Sequence, residues 1–256
     1  MAYVPRPERR RRIPLWAWGL AIGVPAVGIG AWYFLAKAGV VPPPTALAPA
    51  PTPAPAEYFD DFLGTELDPT KWNTYVDTGA SYSVSDGFLH LSVTSNATDR
   101  FVIVYTKKTD WGIGKYRAKV IPKSEATTSI QLSIWKGTLP VPDDIAIIKI
   151  DSRAAYREIR ANSRVGGTWT ESPELVLASG ITLNTPYILE LEVTESNVIA
   201  RAYDEAENLL GSATLSLPNF GSPPTFTVDL RTKTEEAEGV TSQADVDWIK
   251  APSYGT

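Results

Sequence analysis

The chain has 256 residues, a net charge of −5, one His and no Cys. Without Cys there are no disulfides, thiolate metal centres or cysteine nucleophiles, and the lone His90 removes His-based triads and multi-His zinc sites. Charge is unevenly divided: residues 1–40 carry five Arg, one Lys and one Glu, a net of +5, so the remainder carries −10. An acidic remainder argues against nucleic acid as a partner, because phosphate binding needs a basic surface.

In chain order, a basic segment at residues 1–12 ends in Arg9-Arg10-Arg11-Arg12. A charge-free run of 24 residues follows, Ile13 to Ala36. At 1.5 Å per residue, about 20 residues cross a hydrocarbon core, so residues 13–37 are expected to form one transmembrane helix. Trp16 and Trp18 near one end, with Trp32 and Tyr33 near the other, match the aromatic belts of two interfaces. The Arg cluster is expected on the cytoplasmic side, with everything after the span outside. The alternative is a cleaved signal peptide, since Ala36-Lys37-Ala38 reads as a small-residue cleavage site. The apolar run is long for that, against about 7–15 residues in a signal core.

Residues 38–57 read as a linker; seven of the 16 residues from Val41 to Ala56 are Pro. Such composition favours extended polyproline II and forms no core. Residues 58–252 read as one β-domain, with a tail at 253–256. Strands are expected at Phe88–Val93, Phe101–Thr106, Tyr116–Ile121, Ser129–Trp135, Ile145–Ile150, Tyr187–Val193, Val198–Tyr203, Phe226–Leu230 and Val246–Lys250. Asp86-Gly87, Gly166-Gly167 and Pro218-Asn219 mark turns between them. Alternation in the closing strand is expected to put Val246 and Trp248 on one face and Asp247 and Ile249 on the other. Many short strands over one domain read as an all-β, two-sheet jelly-roll sandwich.

Three segments carry a resemblance. The first is Phe59-Asp60-Asp61-Phe62 with Leu67-Asp68 and Lys71-Trp72. The second is Val84 to Leu91 followed by Gly114 to Lys119. The third is Asp245 to Lys250. In this order they resemble the concanavalin A-like lectin/glucanase superfamily, closest to family 16 glycoside hydrolases. The resemblance implies two curved sheets with a glycan-binding concave face. It also implies catalytic carboxylates spaced E-x-D-x-E or E-x-D-x-x-E on one strand, of which one acts as nucleophile and one as acid/base. The corresponding stretch runs from Pro142 to Lys149. There the first position is Asp144, the middle is Ala146, and the last is Ile148 or Lys149. The catalytic set is therefore expected to be degenerate and the chain not to be an enzyme.

The same resemblance implies a structural Ca²⁺ held by Asp247 and a backbone carbonyl near Gly87; no other cofactor is expected. Trp111, Trp135 and Trp169, with Tyr156, are candidates for stacking on sugar rings; the alternative for each is packing in the core. His90, alternating with Phe88 and Ser92, is expected to be a surface or hydrogen-bonded histidine rather than a ligand. Asn96-Ala97-Thr98 fits a glycosylation sequon, and Glu235-Glu236-Ala237-Glu238 reads as a solvated loop, with cation binding as the alternative. Three functional readings follow. The first is a non-catalytic, membrane-anchored accessory subunit docking on partner proteins of a membrane complex. The second is a surface glycan-binding module, and the third, least supported, a glycoside hydrolase.

Overall fold

The computed structural model describes residues 58–95, 99–125, 129–234 and 239–252. The membrane-span, linker, sequon and tail expectations, and the acidic loop 235–238, lie outside these residues. So do Arg9, Arg10, Arg11, Arg12, Trp16, Trp18, Trp32 and Tyr33. Among the described residues no helix is long and apolar enough to cross a membrane.

Among the described residues there are sixteen strands: β1 (Tyr58–Asp60), β2 (Trp72–Val76), β3 (Ala80–Ser85), β4 (Phe88–Thr94), β5 (Arg100–Thr106), β6 (Gly114–Pro122), β7 (Ser129–Lys136) and β8 (Asp144–Asp151), then β9 (Glu158–Val165), β10 (Thr168–Trp169), β11 (Leu175–Ser179), β12 (Tyr187–Val193), β13 (Asn197–Asp204), β14 (Leu209–Ser216), β15 (Thr227–Thr234) and β16 (Thr241–Lys250). They form two antiparallel sheets. The first runs β14-β13-β12-β6-β16-β4-β3, with β1 on β16; the second runs β10-β9-β8-β7-β15-β5-β2, with β11 on β9. This is the expected jelly-roll sandwich, and every strand read from the sequence is present within a few residues.

Alternation builds the core. In β4, Leu89, Leu91 and Val93 point inward; facing them across the sandwich are Val102 and Val104 of β5 and Leu230 of β15. Each such side chain stabilises the fold by about 1.5–3 kcal/mol on burial. An aromatic knot closes one end. The Tyr116 ring lies edge-on to Trp111 (5.9 Å) and Phe226 (5.3 Å), and Trp111 Nε1 donates to Thr106 Oγ1 at 2.9 Å.

The two turns read as hairpins form with the backbone they need. Asp86 and Gly87 both have positive φ (54° and 78°), as do Gly166 and Gly167 (54° and 83°). Two left-handed residues in a row make the tight turn whose twist matches paired strands.

One expectation about the closing strand is corrected. A bulge between Val246 and Trp248 resets the alternation of β16. Val246 and Ile249 are therefore both buried, while Trp248 turns outward beneath Lys250, whose ammonium lies 4.3 Å from the ring centroid. An extra residue in one strand shifts the facing of everything after it.

Candidate functional site

The outer face of the second sheet carries the site, and three rows of side chains cross it. Arg160, Lys149, Gln131 and Arg231 are register partners across β9, β8, β7 and β15. The next row is Asn162, Ile147, Ser133, Asp229 and, on β5, Tyr105. The third is Arg164, Ile145, Trp135 and Thr227.

This register corrects the sequence expectation for β8. Ala146 and Ile148 face the core, each fully buried, so neither stands on the open face. The outward residues are Ile145, Ile147 and Lys149; of the expected positions, Lys149, the alternative to Ile148, does face out. Asp144, at the strand's start, accepts backbone N–H bonds from Gly166 (2.9 Å) and Asn219 (3.0 Å). It pins two loops. The error has a physical origin: β8 is covered on both sides. Its even residues meet the core, and its odd residues meet an apolar island of Trp135, Ile145 and Ile147 with Tyr105 and Leu139. Both parities are therefore apolar, and alternation carries no signal.

Two side chains missed in the sequence form the floor. Asp229 and Arg231 of β15 face outward as a buried ion pair: Arg231 Nε donates to Asp229 Oδ1 at 3.1 Å and Nη1 to Pro140 O at 3.0 Å. Burial pushes the Asp229 carboxyl above its ordinary range, against the opposing pull of Arg231. Ser133 Oγ and Trp135 Nε1 turn toward the same carboxylate with poor geometry, and neither makes a well-formed hydrogen bond. The alternation Asp229, Arg231, Lys233 within β15 was the available sequence signal.

Above this floor lies a cleft of about 390 Å³. Gln131, Asn162, Ile145, Ile147 and Lys149 line its base, and Val141, Trp169 and Glu171 contribute to its walls. The Trp169 ring is 42% exposed, with the Arg164 guanidinium 5.9 Å from its centroid. Arg164 is itself fixed by Gly167 O (2.8 Å) and Pro142 O (3.1 Å), so the Trp169 loop is held from two sides. Glu171 accepts from Ser163 N (2.6 Å), Thr170 Oγ1 (2.6 Å) and Ser216 N (3.4 Å). Burial would raise its pKa, but these hydrogen bonds outweigh it and hold the carboxyl below its ordinary range.

Charge in the cleft is compensated. Among the described residues that line it, four cations each meet a carboxylate: Lys149 with Glu174 (2.7 Å), Arg153 with Asp151 (2.6 Å), Lys233 with Asp99 (3.0 Å), and Arg231 with Asp229. Such a site offers hydrogen bonds and an aromatic face rather than net charge.

The four stacking candidates are divided by the structure. Trp111 is only 2% exposed and belongs to the core knot, so it is corrected to a packing residue. Trp135 faces the open side but is 7% exposed, buried edge-on against Tyr105 at 5.9 Å. Tyr156 is exposed, and its faces are taken by Arg153 (4.4 Å) and Arg160 (4.7 Å). Trp169 alone of the four is exposed at the cleft.

The Ca²⁺ expectation meets a different arrangement on the other sheet. Asp247 Oδ2 lies 3.0 Å from Lys119 Nζ, which also reaches Glu205 at 3.0 Å. Burial alone would lower the Lys119 pKa; the two carboxylates outweigh it and raise it. With an ammonium already against Asp247, the residues near Gly87 are a poor fit to a divalent cation. Among the described residues no cluster of three or more His, Asp or Glu has metal-binding spacing.

His90 is hydrogen-bonded, as expected: Nδ1 lies 2.7 Å from Asp245 Oδ1 and Nε2 lies 3.0 Å from Ser85 Oγ. One histidine therefore does assemble a Ser-His-Asp chain of hydrogen bonds, which corrects the exclusion of triads drawn from the His count.

No family model and no curated protein sequence matches the chain. Solved structures do. A Bacillus licheniformis β-glucanase superposes with a TM-score of 0.57 at 16% identity, covering 76% of this chain and 97% of that one. The laminarinase catalytic domain of Thermotoga maritima gives 0.52 at 12%, covering 77% and 97%. A prokaryotic β-1,3-1,4-glucanase from a mouse hindgut metagenome gives 0.54 at 12%, covering 75% and 96%. At these identities the likeness is one of fold: the chain shares with these glycanases the concanavalin-like two-sheet sandwich.

Proposed function

We propose that the domain is a glycan-binding module that holds an uncharged polysaccharide in the cleft of the second sheet without hydrolysing it. The observation that carries this reading is Trp169, exposed at the wall of a charge-compensated cleft lined by Gln131 and Asn162. Aromatic faces suit the C–H faces of sugars, and amide side chains suit their hydroxyls. Hydrolysis needs two carboxyl groups placed across the scissile bond, one of them with a raised pKa. The outward positions of β8 are Ile145, Ile147 and Lys149, while Glu171 and Glu174 at the wall are engaged in hydrogen bonds and ion pairs. The likeness of fold to glycanases is in keeping with a glycan ligand.

The reading includes the anchor expected from the sequence, with residues 13–37 as the span, the Arg cluster inside and the sandwich outside the cytoplasm. Protease added to intact cells should then remove the sandwich and leave a short N-terminal fragment protected. A mature chain starting near Gly39 would refute the anchor.

The deciding experiment is saturable binding of the full chain, in mild detergent, to neutral β-glucans and galactans, with reducing-sugar release followed in parallel. Binding lost in Trp169→Ala without turnover in the wild type supports the proposal. Turnover, or binding indifferent to Trp169, defeats it.

The accessory-subunit reading has one observation in its favour. Leu175 and Val176 of β11 and Leu209 and Leu210 of β14 are exposed, on strands that approach where Gly211 meets Leu177. Apolar side chains gathered at a sheet edge suit a protein partner. A partner that co-purifies with the wild type and is lost in Leu209→Asp would favour this reading over the glycan one.

A further inference from the structure

The first sheet carries a second site, independent of the cleft. Ser85, His90 and Asp245 come from the three adjacent strands β3, β4 and β16, with Ser83, His90 and Asp245 in register across them. All three side chains of the hydrogen-bond chain share the outer face, because Val84 and Leu89 between them point into the core. A carboxylate only accepts, so the 2.7 Å contact to Asp245 Oδ1 puts the proton of the neutral ring on Nδ1. Nε2 of that tautomer accepts from the Ser85 hydroxyl 3.0 Å away; it also lies 3.2 Å from Ser85 O, a contact that becomes a hydrogen bond only when Nε2 carries a proton. This is the relation between nucleophile, base and orienting carboxylate that activates serine.

The surroundings are open. Ser85 is exposed and the His90 side chain is 34% exposed, so an attacking oxygen can be reached. Ser85 is the last residue before the Asp86-Gly87 turn, whose two positive φ values leave the Asp86 and Gly87 N–H groups outside the strand ladder. These N–H groups are the backbone donors adjacent in sequence to Ser85, and an oxyanion needs such donors aimed at it. The Phe88 ring lies 6.2 Å from that of His90, and Leu63, 78% exposed, reaches the turn 3.8 Å from where a Gly87 Cβ would stand. These give a shallow apolar ledge beside Ser85. Asp245 is shared: its Oδ2 lies 3.0 Å from Lys123 Nζ, which draws charge from the orienting carboxylate.

We propose that Ser85 is an activated nucleophile that cleaves small, unhindered esters, with His90 as its base and Asp245 as a positioning residue. Ser85 Oγ attacks the ester carbonyl carbon while its proton passes to His90 Nε2. The tetrahedral intermediate collapses, and the departing alkoxide takes that proton from His90 and leaves as the alcohol. A water molecule, deprotonated by His90, then attacks the acyl-serine; the carboxylic acid departs and Ser85 Oγ recovers its proton.

The test uses the full chain with p-nitrophenyl acetate as substrate and a fluorophosphonate as a covalent probe, located by mass spectrometry. The expected result is a label on Ser85 that Ser85→Ala removes. Turnover should fall about 100-fold in Ser85→Ala and His90→Gln, the scale of one positioned acid–base group. Asp245→Asn should lower kcat with KM unchanged, which a purely structural role would not single out. Ser85 is exposed, so its alanine variant keeps the fold, checked by circular dichroism. Unchanged turnover in Ser85→Ala would mean that the imidazole acts alone and overturns the proposal. So does a wild type whose Ser85 stays unlabelled under conditions that label a control serine hydrolase.

Discussion

Asp229 and Arg231, two residues apart on β15, point to the same face and form an ion pair almost completely withdrawn from solvent, at 0% and 3% exposure. Their guanidinium–carboxylate fork is completed by Pro140 O, so the pair also ties the 140 loop to the floor of the cleft. Removing one partner strands the other charge. Arg231→Ala should destabilise the chain by about 3–5 kcal/mol, the usual loss for breaking a buried pair. Replacing both, as Asp229→Asn with Arg231→Gln, should lose less than Arg231→Ala. Urea denaturation of the variants checks the order, and a double variant no better than the single would count against a buried charge as the cause.

Glu171 links acid sensitivity to the cleft wall. Its folded-state pKa lies below the ordinary value of 4.5, because Thr170, Ser163 and Ser216 hydrogen bonds favour the charged form over the burial that opposes it. A depressed carboxyl contributes stability that is present above 4.5 and is lost as pH falls through the folded value. Glu171→Gln should therefore lower stability near neutral pH by about 1–3 kcal/mol and flatten the acid limb of the stability curve. Denaturation midpoints from pH 7 to 3 measure both effects.

The two tryptophans of the open face should separate binding from stability. Trp169 is exposed, so Trp169→Ala should abolish glycan binding and change stability little. Trp135 fills the apolar island against Tyr105, Ile145 and Ile147. Trp135→Ala should cost about 3–5 kcal/mol. Thermal melts run beside binding titrations distinguish the two variants. Equal destabilisation would show that Trp169 is packed rather than presented.

Gly211 sets the approach of the two sheet edges. A Cβ there would stand 2.0 Å from Leu177 O and 2.8 Å from its carbonyl carbon, both backbone atoms with little freedom to move. Gly211→Ala should cost roughly 1–3 kcal/mol or more by overpacking and push β14 away from β11. Faster amide exchange along β11 and β14 than elsewhere in the sheets would locate the damage. A variant as stable as wild type would mean that the edges part freely.

Much of the architecture was legible in the sequence. Alternation in Phe88–Val93 and Val198–Tyr203 reported strands with one buried face, and Asp86-Gly87 reported the hairpin between β3 and β4. The missed strands had little of that signal. β9 has polar outward residues, Glu158, Arg160, Asn162 and Arg164, because its open face is one wall of the cleft. β3 lies at a sheet edge and is exposed along most of its length.

The facing of β8 and the bulge at Asp247 were decided only by the tertiary structure. In β8 apolar residues at both parities leave two registers equally good until Trp135 and Tyr105 cover one side and the core the other. The bulge in β16 changes facing without changing composition. His90 and Asp245 are 155 residues apart in the chain, and no local pattern joins them. They meet because closing the sheet places the last strand beside β4, where strand pairing fixes which side chains share a row.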